Sequence, residues 1–170
     1  MRIVFLIIFL LNSYISSAQT RLGSGVGLSH TGYNWYLEAG YQWQAHEVMI
    51  GPKLLLSDSA VPTQGPWGLR FSYRYNVINK NRFSGYAQLA YQLTWLEIYN
   101  PNNLPSDEQN RIHEGLLIYG FSYNINDHWR ISQSLGVGGY IERLVDLIGE
   151  TVQYNDGFSA WVGLELNYRF

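Results

Sequence analysis

The chain has 170 residues, with 11 Lys and Arg against 13 Asp and Glu for a formal charge of −2, and it has no cysteine. That balance offers nucleic acid no basic footprint. The missing thiols exclude a disulfide framework, a thiolate metal site, a cysteine nucleophile and a lipidated N-terminal cysteine.

Met1 to Ala18 has the three parts of a secretory signal: Arg2 as a positive n-region, an apolar run from Ile3 to Leu11, and Ser16, Ser17 and Ala18 before a cleavage point. The alternative, a retained anchor helix, is disfavoured by Asn12, Ser13, Ser16 and Ser17, which follow the apolar run at once. Cleavage after Ala18 leaves residues 19–170 as one domain, whose formal charge is −3 once Arg2 is removed. Aromatic residues are 16% of the chain, with 14 Tyr and 6 Trp, yet mean hydropathy is only −0.14. Beyond the signal no apolar run approaches the roughly 20 residues of a spanning helix.

The remaining sequence alternates with a period of two, the signature of strands with one apolar face. The first segment, about Thr20 to Ser29, presents Leu22, Val26 and Leu28. The second, about Tyr33 to Gln44, presents Tyr33, Trp35, Leu37, Ala39, Tyr41 and Trp43. The third, about Glu47 to Ser57, presents Val48, Ile50, Leu54 and Leu56, with Pro52 on the same face predicting a bulge or a late start. The fourth, about Pro66 to Val77, presents Trp67, Leu69, Phe71, Tyr73, Tyr75 and Val77, and the fifth, about Phe83 to Leu96, presents Phe83, Leu89, Tyr91, Leu93 and Trp95. The sixth, about Arg111 to Asn124, presents Leu117, Tyr119, Phe121 and Tyr123, and the seventh, about His128 to Glu142, presents Trp129, Ile131, Leu135, Val137 and Ile141. The eighth, Phe158 to Phe170, alternates without a fault through Phe158, Ala160, Val162, Leu164, Leu166, Tyr168 and Phe170.

The apolar faces are expected to carry no charge, with Gln133 their only strongly polar member. The opposite faces carry Glu38, Glu47, Lys53, Arg70, Arg74, Glu114, Arg130, Glu142, Glu165 and Arg169, five of each sign. A soluble sandwich would also segregate charge. It would have to bury Trp35, Trp43, Trp67, Trp95 and Trp129 with most tyrosines in one core, and their polar tips would need partners. In a membrane barrel the same rings form girdles at the two interfaces. Connections also alternate: Ala45-His46, Ile78 to Arg82 and Ile125 to Asp127 are short, whereas Asp58 to Gly65, Glu97 to Asn110 and Arg143 to Gly157 are long. His30 to Gly32 is the one short link out of turn. Short periplasmic turns and longer outside loops are the habit of outer-membrane barrels.

The pattern resembles the small eight-stranded OmpA/OmpX-type bacterial outer-membrane barrels over essentially the whole mature chain. The resemblance implies an all-β, antiparallel, up-and-down transmembrane barrel in the outer membrane of a Gram-negative cell. It also implies that Leu164, Leu166, Tyr168 and Phe170 are the C-terminal signal read by the barrel-assembly machinery during insertion. Eight strands enclose a space that side chains fill. Glu38, Lys53, Arg70, Arg74, Glu114, Arg130, Glu165 and Arg169 are accordingly expected to pair in an interior plug, since unpaired charge in a narrow lumen is costly. Trp161 is expected to fill the space left by Gly23, Gly25 and Gly27.

Three functional readings follow. The first is a non-enzymatic barrel acting structurally, or as an interaction or adhesion subunit through its outside loops. Its partners would be outer-membrane lipid and lipopolysaccharide and a larger outer-membrane complex, with no cofactor. Leu144, Leu147, Ile148 and Tyr154 in the last long loop mark either an apolar contact surface or, preferred here, strands continuing above the membrane. The second is a lipid A-modifying enzyme, deacylase- or acyltransferase-like. Of His30, His46, His113 and His128, only His113 has lipid-facing parity near the outer rim. The neighbours expected for it, Leu93, Trp95, Gly139 and Ile141, offer no hydroxyl, which leaves Ser106 and Thr151 in the loops as the remaining candidates. The four histidines are too scattered for a metal site. The third is a small-ligand or ion channel past Arg70, Arg74 and Glu165.

Overall fold

A computed structural model describes residues 19–57, 64–97, 109–145 and 151–170. They form eight strands: β1 (Gln19–Ser29), β2 (Gly32–Trp43), β3 (His46–Ser57), β4 (Gln64–Lys80), β5 (Phe83–Glu97), β6 (Gln109–Asn124), β7 (Trp129–Val145) and β8 (Thr151–Arg169). Each pairs antiparallel with the next, and β1 pairs with β8, so the sheet closes into a barrel without an edge. In a closed ring of eight, β3 faces β7 and β4 faces β8 across the lumen.

Side-chain alternation translates directly into burial. Along β6, Ile112, Glu114, Leu116, Ile118, Gly120 and Ser122 are buried, while Arg111, Gly115, Leu117, Tyr119 and Phe121 are exposed. The exposed side is a belt of Leu89, Leu117, Leu135, Val137, Val162 and Leu164 among others, and the buried side is mostly polar. This inverts the partition of a soluble protein. It is stable where the outer phase is lipid and each backbone polar group is satisfied within the closed ladder.

The short turns have local causes. Gln44 and Asn81 adopt positive φ of 52° at the β2–β3 and β4–β5 hairpins, and Gly32 reaches 102°, a conformation in which a Cβ is strained. Between β6 and β7 the Asn126 side-chain carbonyl accepts from the backbone N–H groups of His128 (2.9 Å) and Trp129 (2.8 Å), closing an Asx turn.

Pro52 produces neither of the expected irregularities. β3 runs unbroken from His46 to Ser57, and Gly51 and Pro52 keep their register opposite Arg70 and Leu69 of β4. Only the β2 side is affected: pairing lapses between Tyr36–Lys53 and Ala39–Ile50 and resumes in the same register. Pro lacks one donor, so the interruption stays on one side of the strand. The β2–β3 register shift lies instead between Tyr33 and Asn34. The β7–β8 ribbon is longer than the apolar repeat alone, with Glu142 opposite Asn155, Arg143 opposite Tyr154 and Val145 opposite Thr151.

Candidate functional site: the barrel interior and outer rim

The interior is organised by ion pairs that cross it. Glu47 on β3 receives Arg130 from the opposite strand β7, with Nη2 2.9 Å from Oε1 and 3.0 Å from Oε2. Arg21 (3.5 Å) and Arg74 (3.7 Å) complete a cationic ring around the same carboxylate. Arg74 also donates to Glu165 at 2.9 and 3.2 Å and to Gln88 Oε1 at 3.1 Å, and Tyr36 donates to Glu165 at 3.4 Å. Higher up, Arg70 Nε lies 3.2 Å from Glu38 Oε1, at ion-pair distance but off the hydrogen-bond direction. Ser72 donates to the same oxygen at 3.2 Å. Near the outer end Lys53 donates to Thr31 at 3.2 Å, and Ser159 donates to Glu114.

Aromatic rings fill what the charges leave. The Arg70 guanidinium sits 4.6 Å from the Tyr36 ring and 4.5 Å from the Trp161 ring, and that of Arg74 sits 4.1 Å from Tyr86. Such cation–π contacts gain when desolvated, as here. Trp161 donates its indole N–H to Ser134 (2.9 Å) and lays its six-membered ring on Gly27, where a Cβ would collide with it. The Tyr36 ring does the same at Gly25. Gly25 and Gly27 are therefore the floor on which two large rings rest, whereas Gly23, also expected to make room for Trp161, lies against Asn167 and Met49. At the outer mouth His30 stacks on Tyr140 with ring centroids 3.4 Å apart.

Seven of the expected plug residues, Glu38, Lys53, Arg70, Arg74, Glu114, Arg130 and Glu165, lie buried inside the barrel. Arg169 does not. It sits half-buried at the rim and donates to the Asp127 carbonyl, because it is the last residue of β8 and has the turn beside it. Glu142 is likewise half-buried, near the outer end, with Asn155 Nδ2 3.5 Å away. Arg21 takes a place sequence reasoning missed, although its parity with Gly23, Gly25 and Gly27 was the available signal. The charges that are buried among the described residues are thus five basic and four acidic, in place of five and five.

The aromatic residues fall in two tiers. Trp43 and Trp129 lie beside the short turns, where Trp43 stacks on His46 (5.6 Å) and Trp129 meets Tyr168 edge-on (4.9 Å). Trp67 and Trp95 stack on each other at 4.5 Å near the opposite end, and Trp35 donates to Ser24 at 3.1 Å on the outer face. Leu164 and Leu166 are exposed on the lipid face of β8 and Phe170 is exposed just beyond its end, with Tyr168 between Trp129 and Phe170. Tyr154 is exposed on the β7–β8 ribbon; the side chain of Leu144, and Leu147 and Ile148 altogether, lie outside the described residues, as does Ser106.

Two expectations about the outer face need correction. His113 does meet a hydroxyl: its Nδ1 is 2.6 Å from the phenol of Tyr91, which reaches diagonally from β5. The lipid-facing parity is also not free of charge. Arg111 shares it with Leu117, and Arg143 and Asp156 share it on the extended parts of β7 and β8.

The chain is thus a closed ring of eight antiparallel strands, apolar outside and ion-paired within. No protein-family profile matches the chain, and no curated protein matches it. Solved structures do. The N-terminal β-barrel domain of Pseudomonas aeruginosa OprF aligns with TM-score 0.58 and 13% identity over 91% of this chain and 98% of that one. Neisserial surface protein A aligns with TM-score 0.55 and 13% identity over 90% and 96%. The fold is that of a small eight-stranded outer-membrane barrel. At this identity the likeness carries architecture alone, so the chemistry of the chain rests on its own residues.

Proposed function

We propose that this protein is a non-enzymatic integral outer-membrane barrel with a plugged polar interior, acting structurally or as an interaction subunit through its outer face. The cross-lumen network supports this reading most directly. Arg130–Glu47 and Arg74–Glu165 each bridge strands that stand opposite one another, and Trp161 and Tyr36 occupy the space beside β1. Moving a charge past these groups requires breaking buried ion pairs, which costs several kcal/mol each. The β7–β8 ribbon, with exposed Tyr154 and the longest described strand, the 19 residues of β8, is the natural docking edge for a larger outer-membrane partner.

The test is a mild-detergent pull-down of the tagged protein from outer membranes, paired with planar-bilayer recordings of the purified barrel. A stoichiometric companion that is lost on shortening the β7–β8 ribbon supports the subunit role. Steady unitary conductance overturns the plug. The second reading, a lipid A-modifying enzyme, draws on the His113–Tyr91 pair. A phenol is a weaker nucleophile partner for histidine than a serine hydroxyl held for attack. Lipid A of unchanged composition after deletion of the gene removes that reading.

A further inference from the structure

Following the register across the outer ends of β4 to β8 reveals one continuous outward-facing row: Trp67 opposite Trp95, Trp95 opposite Arg111, Arg111 opposite Arg143, and Arg143 opposite Tyr154. Trp95 and Tyr154 flank the two arginines in that row, and such rings favour a membrane–water interface. Two arginines directly opposite each other on neighbouring strands repel, since facing Cβ atoms stand only about 5 Å apart. Both are exposed, and among the described residues neither forms an ion pair. The contrast with the interior is sharp. There every arginine stands within 4 Å of a carboxylate. Among the described residues the carboxylate sharing this face, Asp156, is opposite Ile141, one row nearer the middle of the strands.

The face beneath the arginines is shaped differently from the rest of the belt. Two residues inward stand His113 and Ile141, and two further stand Gly115 and Gly139, which pair with each other across β6 and β7. A Cβ added to Gly115 would meet nothing within 4 Å, and one added to Gly139 would meet only the Gly157 carbonyl at 3.4 Å. Unlike Gly25 and Gly27, these positions are not bare because a ring needs the space. They leave a shallow, smooth lane on the lipid face, flanked by Tyr91 on β5 and Phe158 on β8. Its start lies about 13 Å along the strand from the arginine row.

We infer that Arg111 and Arg143 hold the phosphate of a phosphorylated lipid of the outer leaflet, with an acyl chain lying over Gly115 and Gly139. Two guanidinium groups facing one anion convert the cross-strand repulsion into a clamp, and arginine forks suit phosphate oxygens. Trp95 and Tyr154 beside the arginines suit an anion at headgroup level, and the glycine lane, nearer the middle of the strands, suits a chain in hydrocarbon. The inference rests on the membrane-spanning reading and extends it to one preferred lipid site.

The full barrel, refolded into phosphatidylcholine vesicles doped with lipid A or with dephosphorylated lipid A, is extracted into mild detergent and its retained lipids counted by native mass spectrometry. The wild-type protein is expected to retain lipid A over the dephosphorylated form. R111Q/R143Q is expected to lose that retention by about tenfold or more, as removal of charge-assisted contacts requires. R82Q, at the opposite end, is expected to retain it, and G115L/G139L to weaken retention while keeping both charges. Equal retention of both lipids by the wild type, unchanged retention by R111Q/R143Q, or an equal loss in R82Q overturns the site. A protein that fails to enter vesicles at all, judged by the absence of a heat-modifiable band, overturns the membrane reading instead.

Discussion

Arg74 on β4 and Glu165 on β8 meet across the full width of the lumen, with Nη2 2.9 Å from one carboxylate oxygen and 3.2 Å from the other. Their strands have no ladder in common, so this pair ties opposite walls of the barrel. Arg130 and Glu47 do the same for β7 and β3. Buried pairs add little over apolar replacements of equal volume, but losing one partner strands a charge.

Glu165→Gln and Arg74→Met are each expected to destabilise the vesicle-folded barrel by about 3 kcal/mol or more in urea unfolding. Arg74→Met is the worse of the two, because Arg74 also faces Glu47 at 3.7 Å. The double variant is expected to cost clearly less than the sum of the two. Strict additivity would show that the pair does not couple.

Gly27 and Gly115 separate glycines that packing requires from glycines it does not. Gly27→Val drives a side chain into the Trp161 ring and is expected to cost about 1–3 kcal/mol. Combining it with Trp161→Ala should recover part of the loss of the tryptophan variant. Gly115→Ala enters open space on the same sheet and is expected to leave the urea midpoint within about 0.5 kcal/mol of wild type. Equal costs at the two positions would contradict the account of the interior.

Phe170 is exposed, beyond the end of β8, and its backbone N–H reaches the Thr20 carbonyl at 3.2 Å. Its ring meets Tyr168 edge-on at 4.9 Å. These contacts contribute little to a barrel of this size, so deletion of Phe170 is expected to leave refolding into detergent nearly unchanged. Insertion in cells is expected to fall markedly, if the last strand is read by the assembly machinery. Comparing heat-modifiable protein in the two settings checks this, and an equal loss in both would assign Phe170 a purely structural role.

Much of this architecture was legible because a strand's side-chain period is two and its register cannot slip by one without inverting both faces. The alternation of Phe158 to Phe170 and the seat of Trp161 on Gly27 were both readable from residue order, whereas Gly25 takes Tyr36 and Gly23 meets Asn167 and Met49 instead. What residue order conceals is which inward groups meet. Arg74 finds Glu165, 91 positions away, through the stagger of closure, and no local pattern encodes that stagger. Ends of strands were harder still. Arg169 has inward parity yet turns to Asp127, and Arg21 lies at the same rim yet points in. Tyr91 reaches His113 because its diagonal partner is within range of a long side chain, a contact that directly opposed pairs miss.

The central claim is that the aromatic and aliphatic face looks into lipid and the charged face into the lumen. The chain has no cysteine, so single spin labels can be placed without background. Labels at Leu117, Val137 and Leu164, each exposed on the belt, are compared in vesicles with one at Asp127 in the short β6–β7 turn. The belt positions are expected to relax with oxygen and to be shielded from a water-soluble nickel complex, with the reverse at Asp127. Strong relaxation of Leu117 and Val137 by the nickel complex would put that face in water and contradict the barrel's place in the membrane.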